Sequence, residues 1–245
     1  MFFTNFPTTT YNFGTEVSVT AFQNLSAYVD IIDQVKDNLN FYEYYIIQDG
    51  DRPDTISQDY YRTPRYYWTL YLLNDTIRQQ GWPLTVQEIR AKAQVDYPHK
   101  VITTNDVSDL FTHFQVGDTV SGLTSGATAQ VVKRELDLGQ IFVKMNGALS
   151  FVSGETLRDN TDPSFPESIT IASVSDEYNT VHHYEDANGV PTDINPYSAP
   201  PGILNSITYL DRYIQANDNL RRIKVIKPGA IEQIVKAYNE SLRTA

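Results

Sequence analysis

Cysteine is absent from this chain of 245 residues, which rules out disulfides and thiolate metal sites. Methionine is scarce, with two copies. No run approaches the roughly 18 consecutive apolar residues that a membrane span requires. The opening MFFTNFPTTT lacks the basic start and long apolar stretch of a secretory signal. Positive charge is also in deficit: 19 Lys and Arg stand against 30 Asp and Glu, a formal net charge of −11. Nucleic-acid binding relies on a cationic face that displaces phosphate counterions, and none is visible. The one basic cluster, Arg221, Arg222, Lys224 and Lys227, lies in the alternating run RRIKVIK and reads as a solvated or partner-facing strand edge. G-x-S-x-G, H-E-x-x-H, the P-loop and G-x-G-x-x-G are all missing, so neither an enzyme nor a cofactor is expected.

Aromatic residues are abundant, with 17 Tyr and 11 Phe in a chain that is 41% hydrophobic. Each Tyr ring offers apolar area and one polar handle, which suits large wet contact surfaces as well as β-rich cores. The first 20 residues carry Phe2, Phe3, Phe6, Tyr11 and Phe13, and an isolated arm could not bury them. Such an arm docks on a neighbouring subunit or packs on its own domain. A helix is expected near Asp30 to Asn38.

The densest signals lie between Tyr42 and Leu84. Tyr44, Tyr45, Ile46 and Ile47 form a β-prone run that Gly50 ends. Pro53 suits a first helical turn, Asp54 adds a favourable charge there, and Ile56 and Tyr60 share a face. Thr63 and Pro64 form a second cap-and-start pair, followed by an apolar stripe of Trp68, Tyr71 and Leu72 that stops at Asn74-Asp75. Trp82-Pro83-Leu84 can supply a closing extended segment. The expected order is strand, helix, helix, strand.

That order, with Gly50-Asp51 at the turn and Asn74 at the end of the second helix, resembles a LysM module. Arg52-Pro53-Asp54 stands where a sugar-binding LysM carries Thr-Leu or a similar pair. With that departure, GDRPD, YYWTLYLLND and WPL resemble the LysM-like baseplate wedge subunit family of T-even-type contractile bacteriophages. The likeness is best over roughly residues 40 to 100 and returns weakly at Val181–Glu185 and from Asn217 onward. It implies a non-enzymatic structural protein of the virion, in the tail baseplate and assembled in the host cytoplasm. It would bridge or clamp neighbouring wedge units into a six-fold ring, with other wedge and hub subunits as partners. Asp51, Arg52, Pro53, Tyr61, Tyr66 and Asn74 are the partner-binding candidates, with Trp68 and Trp82 as core. The alternative is a LysM-type peptidoglycan-binding module of a tail or wall-associated protein. A lone repeat lacks the avidity of tandem copies, and Arg52-Pro53 is bulky and charged, so glycan is not the expected partner.

Beyond this stretch, Thr85-Val86-Gln87-Glu88 reads as a capping box opening a helix with Val86, Ile89 and Ala93 on one side. From Val107 the texture changes. Phe114-Gln115-Val116-Gly117-Asp118-Thr119-Val120 is echoed by Phe151-Val152-Ser153-Gly154-Glu155-Thr156-Leu157, with two alternating strand patterns between them. This predicts a small antiparallel barrel entered and left through equivalent turns. Residues 159 to 204 are Pro-rich, broken by strands at Ser168–Val174 and Thr180–Glu185. RIKVI is a strand, and Ile231, Ile234, Val235, Tyr238 and Leu242 recur as the single stripe of a terminal helix.

Two clusters invite chemistry. His182-His183 with Glu185 and Asp186 suggests a metal, but adjacent strand residues point to opposite faces. Asp49, Asp51 and Asp54 with Glu43 suggest paired carboxylates, but acids at a turn and helix start are usually caps. No metal is expected. The expected class is α+β: a LysM-like βααβ core, a small SH3-like β-barrel insertion and a C-terminal strand-helix unit. The expected divisions are an arm over 1–40, the LysM-like domain over 41–106, the insertion over 107–160 and a C-terminal segment over 161–245.

Overall fold

The computed structural model describes residues 8–11, 20–23, 38–105, 107–110, 113–161, 167–198 and 200–244. In chain order these form β1 (Thr8–Tyr11), β2 (Thr20–Gln23), β3 (Tyr42–Ile46), α1 (Pro53–Tyr61), α2 (Trp68–Leu73), α3 (Asp75–Gln80) and α4 (Val86–Asp96). There follow β4 (Lys100–Thr103), α5 (Val107–Leu110), β5 (Thr119–Gly122), β6 (Thr128–Glu135), β7 (Gln140–Met145), β8 (Thr156–Asp159), β9 (Ser168–Thr170) and β10 (Ser173–Asp176). The chain ends with β11 (Val181–Glu185), β12 (Pro191–Thr192), β13 (Asn205–Thr208), α6 (Tyr209–Arg221), β14 (Arg222–Ile226) and α7 (Ile231–Thr244). The class is mixed α+β with several antiparallel sheets. Residues 86–215 form one compact unit, and the described parts of 1–85 and 216–245 form another.

In the unit that holds both chain ends, β3 pairs antiparallel with β14, from Tyr42 opposite Ile226 to Ile46 opposite Arg222. The expected closing segment, Trp82-Pro83-Leu84, is not a strand. The return strand comes instead from RIKVI, far downstream. The reason is physical. Pro83 has no N–H to give a ladder, whereas Ile223 and Val225 alternate inward and are fully buried. They join Ile47, Ile56, Leu70 and Ile77 in one core cluster. A second cluster joins Leu72 and Leu73 to Ile226, Ile231 and Tyr238, with Ile234 and Val235 packed against it. Ile231, Ile234, Val235 and Tyr238 of α7 are therefore seated, and each large side chain fully buried contributes about 1.5–3 kcal/mol before entropy. The short α3 follows Asn74 and contributes one buried residue, Ile77. β1 and β2 form an antiparallel hairpin in the N-terminal arm. The expected helix near Asp30–Asn38 and the aromatics Phe2, Phe3, Phe6 and Phe13 lie outside the described residues, Asn38 excepted.

In the other unit, seven strands form one antiparallel sheet in the order β10-β4-β7-β6-β5-β8-β9. The sheet curls into a half-barrel around a core that includes Ile102, Phe114, Val120, Val131, Ile141, Phe151, Leu157 and Ile171. The outermost strands, β9 and β10, are consecutive in the chain. Between them Ile171 donates to the Glu155 carbonyl and Ala172 to the Thr103 carbonyl, at 2.9 and 2.8 Å. The strands expected between 107 and 160 are present, but the sheet also takes in β4 before them and β9 and β10 after them.

The repeated motif has a structural counterpart. The Asp118 amide donates to the Gln115 carbonyl at 3.0 Å, and the Glu155 amide to the Val152 carbonyl at 3.3 Å. Each carboxylate then takes the amide N–H three residues back, that of Gln115 or Val152. The two turns feed β5 and β8, which are antiparallel neighbours. A three-stranded sheet, β12-β11-β13, completes the unit with α4, α5 and the first part of α6. Ile89 and Ala93 of α4 are buried, but Val86 is 62% exposed and is not part of that face.

Candidate functional site

The β3–α1 turn is organised by backbone geometry. Gly50 has φ +85°, open to glycine at no steric cost. The Asp51 carboxylate accepts from the Tyr45 hydroxyl and the Gln48 amide, both at 2.8 Å. The Trp82 indole N–H donates to the Asp51 carbonyl at 2.8 Å, so the turn is fixed from both sides. Burial, reinforced by the bond to Asp51, pushes the Tyr45 phenol up to about 12. Arg52 is the N-cap residue. Its amide donates to the Thr55 hydroxyl at 3.1 Å, and Pro53 occupies the first helical position. The Arg52 side chain is 73% exposed and its Nε lies 3.2 Å from Asp54.

The sequence-predicted partner residues separate on this geometry. Tyr61 donates its hydroxyl to the Ile226 carbonyl at 2.8 Å. It is the middle of an edge-to-face series in which Tyr60 and Tyr66 sit 6.0 and 5.7 Å from it. Burial drives the Tyr61 phenol far above its ordinary value. Tyr66 is half-buried and its amide donates to the Ser57 hydroxyl at 3.2 Å. Asn74 is buried and acts as a piece of strand. Its Nδ2 donates to the Leu70 and Lys224 carbonyls at 2.7 and 2.8 Å, and its Oδ1 accepts the Lys224 amide at 2.7 Å. Asp51, Tyr61 and Asn74 therefore hold the unit together, and Arg52 is the candidate left open to solvent. Trp68 packs on Tyr238 with ring centroids 5.1 Å apart, and Trp82 on Tyr71 at 5.8 Å, both against the core clusters.

A second open surface was legible only in part. On the outer side of β3 and β14, Tyr44 and Ile46 are 49% and 62% exposed. The Arg222 guanidinium lies 4.1 Å from the Tyr44 ring centre, and the Lys224 ammonium 4.5 Å from that of Tyr42. The period of two in YEYYI and RRIKVIK marks both strands, but nothing local says that they pair. The face presents cations held against aromatic rings.

The acidic cluster is consumed internally: Asp49 pairs with Arg221 at 3.3 Å, Asp51 fixes the turn and Asp54 meets Arg52. The histidines differ from expectation. A bulge in β11 between Val181 and His183 breaks the alternation, and the two Nδ1 atoms come within 2.8 Å. Arg212 Nη1 lies 2.9 Å from His182 Nε2, and His183 Nε2 lies 3.0 Å from Glu185. Arg212 can only donate, so His182 accepts at Nε2 and carries its proton on Nδ1, pointing to His183. His183 then carries its proton on Nε2, pointing to Glu185. Burial, with Arg212 and His183 beside it, pulls the His182 imidazole below its ordinary value. Among the described residues no group of three or more His, Asp or Glu is placed to hold a metal ion.

Neither a protein-family model nor a curated protein sequence matches the chain. No helix among the described residues is long and apolar enough to cross a membrane.

Proposed function

We propose that this chain is a structural subunit of a contractile phage-tail baseplate, a LysM-like clip that bridges neighbouring wedge units. The reading rests on the resemblance of GDRPD, YYWTLYLLND and WPL to the baseplate wedge family. The half-barrel is then an SH3-like insertion into the clip, which is closed by RIKVI. The supporting observation is how the polar groups near the first turn and second-helix end are used. In a sugar-binding LysM this region meets glycan. Here Asn74 bonds the Lys224 main chain and Asp51 bonds Tyr45 and Gln48. What remains open is Arg52, together with the face of Tyr44, Ile46 and Arg222. Guanidinium groups and exposed aromatics suit protein partners, since Arg pairs with carboxylates in a fixed fork and both types anchor interfaces. The partners are other wedge and hub subunits in a six-fold ring.

The test has two arms: purified wedge proteins of a contractile tail, and insoluble peptidoglycan. Capture by wedge proteins, weakened at least tenfold by Arg52→Ala or Arg222→Glu with unchanged Tm, is the expected result. Saturable retention on peptidoglycan with no capture by wedge proteins overturns the reading.

A further inference from the structure

Among the described residues β3 pairs with β14 alone, so its other edge is open. The ladder fixes which groups face out. The Ile47 amide donates to the Arg221 carbonyl and the Lys227 amide to the Phe41 carbonyl, both at 2.9 Å. Between these bonded pairs the register places Glu43 opposite Val225 and Tyr45 opposite Ile223. Bonded and non-bonded pairs alternate along an antiparallel ladder, so Tyr42, Tyr44 and Ile46 turn their main-chain groups away from β14. The Ile46 carbonyl is taken by Gln48 Nε2 at 2.9 Å. The N–H and C=O of Tyr44 have no partner among the described residues, and this residue is 49% exposed. Such an edge is a template for a further strand.

Charge decides what kind of strand fits. Within the basic cluster, Arg221 is spent on Asp49 and Asp218. Lys227 donates to the Leu39 carbonyl at 3.1 Å, and Lys224 lies over the Tyr42 ring. Arg222 is exposed, lies over the Tyr44 ring and pairs with no carboxylate among the described residues. Directly opposed residues share a face, so Tyr44, Ile46, Arg222 and Lys224 form one surface. Glu43, the one acid of β3, alternates to the opposite face, where it bonds Tyr60. A guanidinium without a carboxylate, seated on a ring beside an open strand edge, selects an acidic segment. In a chain of net charge −11, that counter-acid is missing here and is supplied by the partner.

We propose that the open edge of β3 takes an extended acidic segment of a partner protein as an added strand. The segment bonds the Tyr44 main chain, and one of its carboxylates meets the Arg222 guanidinium. The proposal rests on the reading above only in that this face meets a protein; it does not require that the protein be a wedge subunit.

The experiment is NMR titration and amide hydrogen exchange on the full chain with the end-blocked peptide Thr-Glu-Val-Glu-Val-Glu-Thr. Two control peptides carry Lys in place of Glu, or Pro in place of Val. In the free chain the Tyr44 amide should exchange faster than those of Tyr45 and Ile47, which face β14. At saturating acidic peptide its exchange should slow at least tenfold. The Pro peptide keeps the charge but cannot pair, and neither control should protect Tyr44. Arg222→Glu, an exposed change, should weaken the acidic peptide at least tenfold and admit the Lys peptide. Failure of the acidic peptide to bind overturns the proposal, as does binding that leaves the Tyr44 amide unprotected. Equal binding of the Pro peptide also overturns it and reduces the face to a charge contact. Capture by wedge proteins without protection of Tyr44 sinks this proposal and leaves the clip reading standing. Protection of Tyr44 by the acidic peptide without capture by wedge proteins does the reverse.

Discussion

Replacing Asn74 with Ala tests how the clip is closed. The side chain makes three hydrogen bonds, to the Leu70 carbonyl and to both main-chain groups of Lys224. Among the described residues two strands form the β3–β14 sheet, and Asn74 bonds the main chain of Lys224 in β14 as a neighbouring strand would. Asn74 is only 8% exposed, and water does not readily replace it. Each neutral hydrogen bond contributes about 1 kcal/mol net, and each buried group left unpaired costs about 1–3 kcal/mol. Some relaxation is expected, so the loss is about 2–4 kcal/mol. In a chain of this length that lowers Tm by roughly 5–15 °C. Asn74→Asp, nearly isosteric, should cost at least as much, because a carboxylate would face the two carbonyls that the amide now serves. The chain has two tryptophans, Trp68 and Trp82, both packed in this unit. Urea unfolding followed by tryptophan emission therefore reads it selectively. A midpoint shift worth less than about 0.5 kcal/mol in both variants would refute the argument that Asn74 pins β14.

Trp82→Phe keeps a ring against Tyr71 but loses the indole bond to the Asp51 carbonyl; thermal melts should show a loss of about 1 kcal/mol. Glu155 is buried, which alone would raise its carboxyl, but the amides of Ser125, Val152 and Thr124 and the Ser125 hydroxyl outweigh that and hold it below the ordinary range. A depressed folded value means stability that is present above the unfolded value and lost as pH falls through the folded one. Glu155→Gln should therefore flatten the acid limb of a stability-versus-pH curve, and an unchanged limb would count against the assignment. His182 is depressed by burial, Arg212, His183 and Lys133, against the opposing pull of Glu135. The unfolded chain takes up its proton first as pH falls from the ordinary value of 6.5, so the half-barrel unit should lose stability below that pH. His182→Phe should remove that loss, as read by chemical denaturation across the range.

The local elements were legible where pattern and punctuation agreed. Pro53 and Thr63-Pro64 mark helix starts that the structure contains, and the period of two in RIKVI marks β14. The duplicated Gly-Asp/Glu-Thr motif announced paired turns because the acid serves the same amide in each copy. Long-range pairing was not legible. That β3 is closed by a strand nearly 180 residues later depends on Ile223 and Val225 filling a shared core, which no local pattern states. Helix α6 escaped notice because DRYIQANDNLR carries no continuous apolar stripe. The bulge in β11 was invisible too, so side chains expected on opposite faces meet. At the site, the exposure of Arg52 followed from its position at a helix start, but the structural duty of Asn74, Asp51 and Tyr61 required knowing where Lys224, Trp82 and Ile226 lie.

The most direct measurement of the central claim is quantitative mass spectrometry of purified contractile tails, with cross-linking to locate the chain. The account predicts that the chain copurifies in a fixed copy number that is a multiple of six, with cross-links from Lys224 and Lys227 to baseplate subunits. Its absence from intact tails, or variable amounts removed by washing, would contradict the account.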